Sequence, residues 1–367
     1  MMTTTAHPVP LPELRRIPAA APARRMAWPA ASSWGSIARH LMIPLFLALG
    51  MAFAYMGAFH APAPHGMPVA VVGSGPEAQV FAQTLNDKGD GKLAVTTVAS
   101  ESTARRQILD QKIAAAFQVD ASGATLYVSH AASEAGAATA QALFQPIAYD
   151  QHLPLQVVDV RSGTAQDPAG QSLFFLLIAI TVGAYASSVA ISASASKLGV
   201  LWRIGIGAAV GFVVAAAAVV IAGGVYHALN GNEWLIWLLA GLYAFGIITI
   251  GIGLHPFLRG WTTPTLTALF VMLNVTSAGG VYPSYLEPAF FAGLTTFWNG
   301  AAWLDAARML TYFPGQSIGF DALRLSLWAV AGVALVIVGH LATRSRRVLA
   351  DETIAATAEE EELVVAG

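Results

Sequence analysis

Six apolar runs, at residues 42–59, 173–191, 204–226, 235–254, 263–276 and 325–338, set the first limit on what this chain can fold into, because none carries Asp, Glu, Lys, Arg or His in its interior. The first has 18 residues, and at about 1.5 Å per residue it nearly crosses a hydrocarbon layer of ~30 Å. In lipid every backbone N–H and C=O must be satisfied within the segment, so such runs are helices. Composition agrees: 56% of the 367 residues are apolar and 11% are charged, against roughly 25% charged in soluble domains. The expected fold class is an α-helical integral membrane protein with six transmembrane helices and one extracytoplasmic α/β domain inserted between helices 1 and 2.

The chain divides accordingly. Residues 1–31 are rich in Ala and Pro, carry Arg15, Arg16, Arg24 and Arg25, and predict a disordered cytoplasmic tail. Residues 32–59 predict an interfacial helix and transmembrane helix 1. Ser32 or Ser33 would cap the former, with Trp34, Ile37 and Leu41 on one face and Arg39 on the other, although a simple extension of the first span fits equally. The basic region before this span and Ala61-Pro-Ala63 after it also suit a signal peptide, but the long basic region and Pro64 favour an uncleaved anchor. In residues 64–170 strands at 69–72, 93–98, 114–119, 125–128 and 155–160 alternate with helices at 77–85, 102–113 and 135–147, which describes a small α/β domain. Residues 173–343 predict a five-helix transmembrane domain whose segment 277–322 is external and re-entrant-like, and residues 344–367, with Glu359 to Glu362, an acidic cytoplasmic tail.

Flanking charge sets the orientation. With a cytoplasmic amino terminus, Lys197, Arg203, Arg259, Arg344, Arg346 and Arg347 lie inside, and the outer loop 227–233 has no Lys or Arg. Trp202 and Trp261 fall at inner span ends, and Tyr226, Trp234 and Trp237 at outer ends. Both termini are then cytoplasmic in a multi-pass inner-membrane protein, and the α/β domain is outside. Because the chain lacks cysteine, cysteines introduced at Ser122 and Ser196 would report the two sides.

The stretch 266–315 holds the most distinctive residues. A helix cannot run on through Gly279, Gly280 and Pro283, yet the next residues, Tyr285-Leu-Glu-Pro-Ala-Phe-Phe291, are too apolar for an ordinary surface loop. Trp303-Leu-Asp-Ala-Ala-Arg308 comes after them. In their order of appearance Asn274, Ser277, Gly279, Gly280, Tyr282, Pro283, Leu286, Pro288, Phe290, Asp305, Ala306 and Arg308 resemble the last external segment of type-2 ATP-binding-cassette (ABC) exporter permeases and of the related phage-infection-protein membrane family. The run 104–117 resembles, loosely, the external domain of the latter. The resemblance implies a permease subunit that pairs as a homodimer or with a similar permease and takes its energy from a separate cytoplasmic ABC ATPase. It also implies an external gate at Asn274, Ser277, Gly279, Gly280, Tyr282, Pro283, Pro288, Asp305 and Arg308, and an ATPase-coupling loop at Lys197 to Arg203, two cations that topology alone would also explain. Asp305 and Arg308, three apart on a helix, fit either a gate or a surface pair worth roughly 0.2 to 0.5 kcal/mol.

Other chemistry is sparse. Gly73-Ser-Gly-Pro-Glu-Ala78 superficially matches a dinucleotide-binding turn, with Glu101 as a ribose acid, but reads better as ordinary strand-to-helix turn chemistry. Asn86-Asp-Lys-Gly-Asp-Gly91 lacks calcium-loop spacing. No phosphate-cradling loop is present, so no cofactor is expected in this chain and ATP belongs to the partner. Without ionisable groups inside the spans, coupling to a proton or ion gradient is not expected either. His40, His60, His227, His255 and His340 fall at span ends as interfacial residues. Nothing in the sequence predicts an enzyme, and a net charge of -2 predicts no nucleic-acid partner. Gly207 and Gly211, and Gly246, Gly251 and Gly253, allow close helix approach, within one subunit or at a dimer seam. Uncharged, small-residue spans suit a hydrophobic or amphipathic cargo and membrane lipid as surroundings. The alternative function is a phage-infection-protein-like scaffold or receptor working through its external domain without an ATPase.

Overall fold

The computed structural model describes residues 31–121, 123–195 and 197–366, with side chains chiefly within 41–345. The predicted tail at 1–31 lies outside the described residues but for Ala31, as do Ser122 and Ser196 and the side chains of Ser32, Ser33, Trp34, Ile37, Arg39, His40, Arg346, Arg347 and Glu359 to Glu362.

The first helix, α1, is Ala31–Phe59, so the stretch expected to form a separate interfacial helix falls in the same helical run as the first span. The α/β domain follows as β1 Met67–Val72, α2 Pro76–Gly89, β2 Leu93–Val98, α3 Glu101–Leu109, β3 Ala115–Asp120, β4 Gly123–Val128, α4 Glu134–Asp150 and β5 Leu155–Asp159. Strand order is β2-β1-β3-β4-β5, parallel except for the antiparallel β3–β4 pair. Alternation along β1 explains why helices cover both faces. Met67, Val69 and Val71 pack with Leu85 of α2 and Phe144 of α4, while Ala70 packs with Ala104 and Ile108 of α3 on the opposite face. Ser100 and Ser133 cap α3 and α4 through their hydroxyls. Of the segment 86–91, expected to be a turn, residues 86–89 are the last turn of α2 and only Asp90 and Gly91 turn the chain; the Asn86 amide bonds both the N–H and C=O of Val95 at 2.8 and 2.9 Å, satisfying edge strand β2.

Among the described residues five helical runs are long and apolar enough to cross a membrane: Leu41–Phe59, Ser172–Ser194, Val200–Val225, Glu233–Asn274 and Gly319–Ser345. The chain is a membrane protein with several apolar helices. The predicted count of six is corrected on this measure, because the fourth and fifth apolar runs lie in one helical stretch of 42 residues. That stretch comprises α7 Glu233–Leu258, a 3-10 turn Arg259–Trp261, and α8 Thr262–Leu266, which continues as π-helical turns Thr267–Asn274. It is bent back on itself at Arg259, whose φ of 49° places it in the left-handed region. His255 Nδ1 meets Thr262 Oγ1 at 2.9 Å, and Asn274 meets Tyr243 at 2.8 Å, so the two arms pair like a hairpin.

The remaining helices are α5 Ser172–Ser194, α6 Val200–Val219 with π-helical turns Val220–Val225, α9 Ala289–Thr295, α10 Asn299–Tyr312 and α11 Gly319–Ala366. Two boundaries move from those expected. The loop after α5 is confined to residues 195–199, which puts Arg203 inside α6. No break separates a tail at 344, because α11 runs through it.

Helix α7 is the centre of the membrane part, and its glycines face neighbours within the chain. Gly211 of α6 lies against the Phe245 backbone, and Gly246 against Ala329 of α11. At Gly253 a Cβ would fall 2.6 Å from the Leu335 carbonyl carbon and 2.7 Å from the Val336 nitrogen, distances no side chain accepts. Gly253→Ala is therefore expected to lose about 1 to 3 kcal/mol by forcing α7 and α11 apart. Gly205→Ala, where a Cβ meets open space, should instead gain up to about 1 kcal/mol from helix propensity. Thermal unfolding of the two variants in one detergent checks the contrast, and equal shifts would show that close α7–α11 contact is unimportant.

Candidate functional site at the junction of the sheet domain and the helices

After Asn274 the chain leaves the helix through Gly279, at φ 72°, into a 3-10 turn Ser284–Leu286, then α9 and α10. This broken segment is what the sheet domain is fastened to. The Tyr285 ring packs against the core formed by β1, α2 and α4. The Tyr285 carbonyl accepts from His65 N–H at 2.8 Å and the Leu286 carbonyl from Ala63 N–H at 3.3 Å. Gln316 donates to Asp110 at 2.9 Å, and this bond, with that from Lys112, holds the Asp110 carboxyl below its ordinary range. Tyr312 donates to Asp167 at 2.8 Å. Asp167 also accepts from the N–H groups of Gln171 and Ser172, capping the start of α5. Burial, and then the neighbouring Asp167 carboxylate, raise the Tyr312 hydroxyl.

Between the two parts lies a cavity of about 310 Å³. Pro68, Gln111 and Ala114 wall it on the sheet side, and Gly279, Pro283, Ser284, Tyr285, Asp305 and Arg308 on the helical side. Arg308, 11% exposed, holds Asp305 at 3.3 Å and donates to the Gly279 carbonyl at 3.1 Å. Asp305, 36% exposed, faces the cavity. Enclosure by protein raises its carboxyl, opposed by the guanidinium charges of Arg308 and Arg324.

Of the residues expected to form a gate, Gly279, Pro283, Asp305 and Arg308 thus come together at this cavity. Asn274 and Ser277 do not, being fully buried below it. Asn274 is a bolt: its Nδ2 donates to Tyr243 Oη at 2.8 Å and its Oδ1 accepts from Gly300 N–H at 2.8 Å. Tyr243 in turn donates to Thr181 at 2.6 Å, and Thr181 to the Leu177 carbonyl at 2.7 Å. This chain ties α5, α7, the end of the hairpin and the start of α10 together. Gly280 lets the Phe174 ring approach where a Cβ would collide. Tyr282 stands edge-on to Phe59 of α1 at 5.9 Å, and Pro288 is the residue just before α9, with no side-chain cap. Lys197 and Arg203 lie at the opposite end, Lys197 exposed and Arg203 buried.

Sequence reasoning misses some residues here. Tyr285 and Ser284 line the cavity. Glu287 is 1% exposed with neither carboxylate oxygen hydrogen-bonded, and burial pushes its carboxyl up to about 8. A lone acid before Pro288 in an apolar stretch is the signal that could have found it. Elsewhere, an apolar groove of about 470 Å³ runs along α11, lined by Ile250, Phe297, Leu327, Trp328 and Leu335, with Arg324 as its one charged wall residue. Among the described residues no group of His, Asp and Glu is placed to hold a metal ion. No family model, curated protein or solved structure matches the chain.

Proposed function

We propose that the chain is the membrane-spanning subunit of an exporter, energised by a separate cytoplasmic ATPase of the ABC type and moving a hydrophobic or amphipathic cargo. The observation that carries this reading is the division of polar groups. The middle of the helices is joined by the neutral Thr181–Tyr243–Asn274 chain. The described charges of the membrane runs lie near run ends, as Arg203, Glu233, Asp321, Arg324 and Arg344 do, or at the bend of the hairpin, as Arg259 does. A relay of ionisable groups across the bilayer would need the reverse. The apolar groove along α11 suits a cargo with an apolar body.

In this reading the hairpin at Arg259 makes two crossings of one helical run, giving six in all. Its second arm, Thr262–Asn274, spans only about 20 Å at 1.5 Å per residue. The broken segment to Tyr312 follows it outside the span, at the outer membrane edge, and the sheet domain rests on it as a sensor of cargo or gate. The ATPase meets the loop 195–199, which presents Lys197, Leu198 and Gly199. A scaffold or receptor acting through the sheet domain alone is the second reading, favoured by the bonds that fasten that domain to the segment.

Two measurements test the assignment. Asp87→Cys, on exposed α2, should react with a membrane-impermeant thiol reagent in intact cells and Gly199→Cys should not. The reverse labelling would sink the orientation. An ATPase with a phosphate-binding loop should co-purify with the detergent-solubilised chain, and transport in vesicles should follow ATP and survive collapse of the proton gradient. Transport by the purified chain on a pH gradient alone would leave no place for the ATPase.

A further inference from the structure

At the end of the helices remote from the sheet, the chain encloses a second polar cavity of about 310 Å³, bordered by Lys197, Arg203, His255, His340 and Arg344. Among the described residues its wall carries three permanent cations and two imidazoles and no carboxylate. Among the described residues no Asp or Glu lies within ion-pair distance of Lys197, Arg203 or Arg344. Arg203 is the telling member. Only 7% exposed, it makes one hydrogen bond, to the Ile252 carbonyl at 3.3 Å, and its Nε has no partner. A guanidinium withdrawn from water without a counter-charge is costly, and the cost is relieved when an anion occupies the space beside it. The amino end of α6, which no side chain caps, points its positive dipole end to the same place.

The depth of the cavity narrows the ligand. It lies where three membrane runs end, near Ser194, Val200 and Ser345, and Leu201, Trp202, Trp261 and Leu341 are exposed at the same level, as at a bilayer interface. Guanidinium forks and an ammonium group match phosphate oxygens, and basic pockets between helices at this depth take acidic lipid headgroups. We propose that this cavity is a binding site for a phosphate-bearing anion, supplied by an acidic phospholipid of the surrounding leaflet. Lys197 and Arg344, both exposed, form its entrance and Arg203 its floor. The site stands whether or not the chain is an exporter.

The test is thermal unfolding of the full chain, delipidated in neutral detergent and titrated with phosphatidylglycerol, phosphatidylcholine or inorganic phosphate. Phosphatidylglycerol should raise the melting temperature and phosphatidylcholine should not. The double variant Lys197→Gln/Arg344→Gln should need at least tenfold more phosphatidylglycerol for the same rise, and Arg203→Gln should lose the response. A rise with inorganic phosphate but not with phosphatidylglycerol, absent in the double variant, would keep the anion site and overturn the lipid as its source. Equal responses of parent and double variant to phosphatidylglycerol, or of the parent to both lipids, would overturn the site itself.

Discussion

Glu287→Gln is expected to stabilise the protein at pH 8 and above and to remove most of a pH dependence that the parent shows between about pH 4.5 and 8. The carboxyl is buried between Leu286 and Pro288 with both oxygens unpartnered, and burial raises it from 4.5 to about 8. The Thr295 hydroxyl eases this only partly, being already bonded to the Phe291 carbonyl at 3.3 Å. The unfolded chain loses the proton near pH 4.5 while the folded chain keeps it until about pH 8. Within that window the folded state binds more protons, so stability falls as pH rises. Above the window the penalty is constant, and below it there is none. At about 1.36 kcal/mol per pH unit the whole effect is on the order of 5 kcal/mol. Glutamine keeps the shape without the charge. Its melting temperature should match the parent's at pH 5 and exceed it by roughly 5 °C or more at pH 8.5. Parallel curves for the two proteins across this range would show that Glu287 is not the group that titrates.

Local patterns in the sequence specify the sheet domain closely. Strand β2 falls at the expected residues 93–98, because its boundaries are marked by the Gly-rich turn before it and Ser100 after it. The hairpin at Arg259 is legible as two apolar runs but not as one helical stretch, since a left-handed non-glycine residue between helices leaves no mark in hydropathy. Arg203 reads as a loop cation because charge near a span end usually marks the water side; its burial depends on Ile252 of α7, 49 positions away. Glu287 escapes notice for the same reason. Whether a lone acid is solvated is decided by what folds over it, here α9 and the turn before it.

Arg308→Ala is expected to cost more than Asp305→Ala, and exchanging the two charges should rescue little of either loss. As an isolated i,i+3 pair on α10 they would contribute roughly 0.2 to 0.5 kcal/mol, and both single variants would be nearly silent. The geometry makes them unequal. The Arg308 guanidinium joins two partners, Asp305 at 3.3 Å and the carbonyl of Gly279 at 3.1 Å, and so ties α10 to the turn where the helical hairpin ends. Asp305→Ala removes one partner and leaves the cation held by the other. Because Asp305 keeps a third of its exposure toward the cavity, solvent screening limits that loss to about 1 kcal/mol. Arg308→Ala breaks both bonds, so the loss of the charged donor's bond to the Gly279 carbonyl, roughly 1.5 to 3 kcal/mol, adds to the loss of the pair, for about 3 kcal/mol in all. In the exchanged protein the pair re-forms, but Asp at 308 sets carboxylate oxygens against the Gly279 carbonyl and no donor replaces the guanidinium. Arg308→Lys, which keeps charge and a donor but not the fork, should fall between. Melting temperature and, on the proposed exporter reading, transport measured on the same four variants separate a fastening of the segment from a simple ion pair. Full recovery of both in the exchanged protein would show that pairing alone matters and that the bond to Gly279 is incidental.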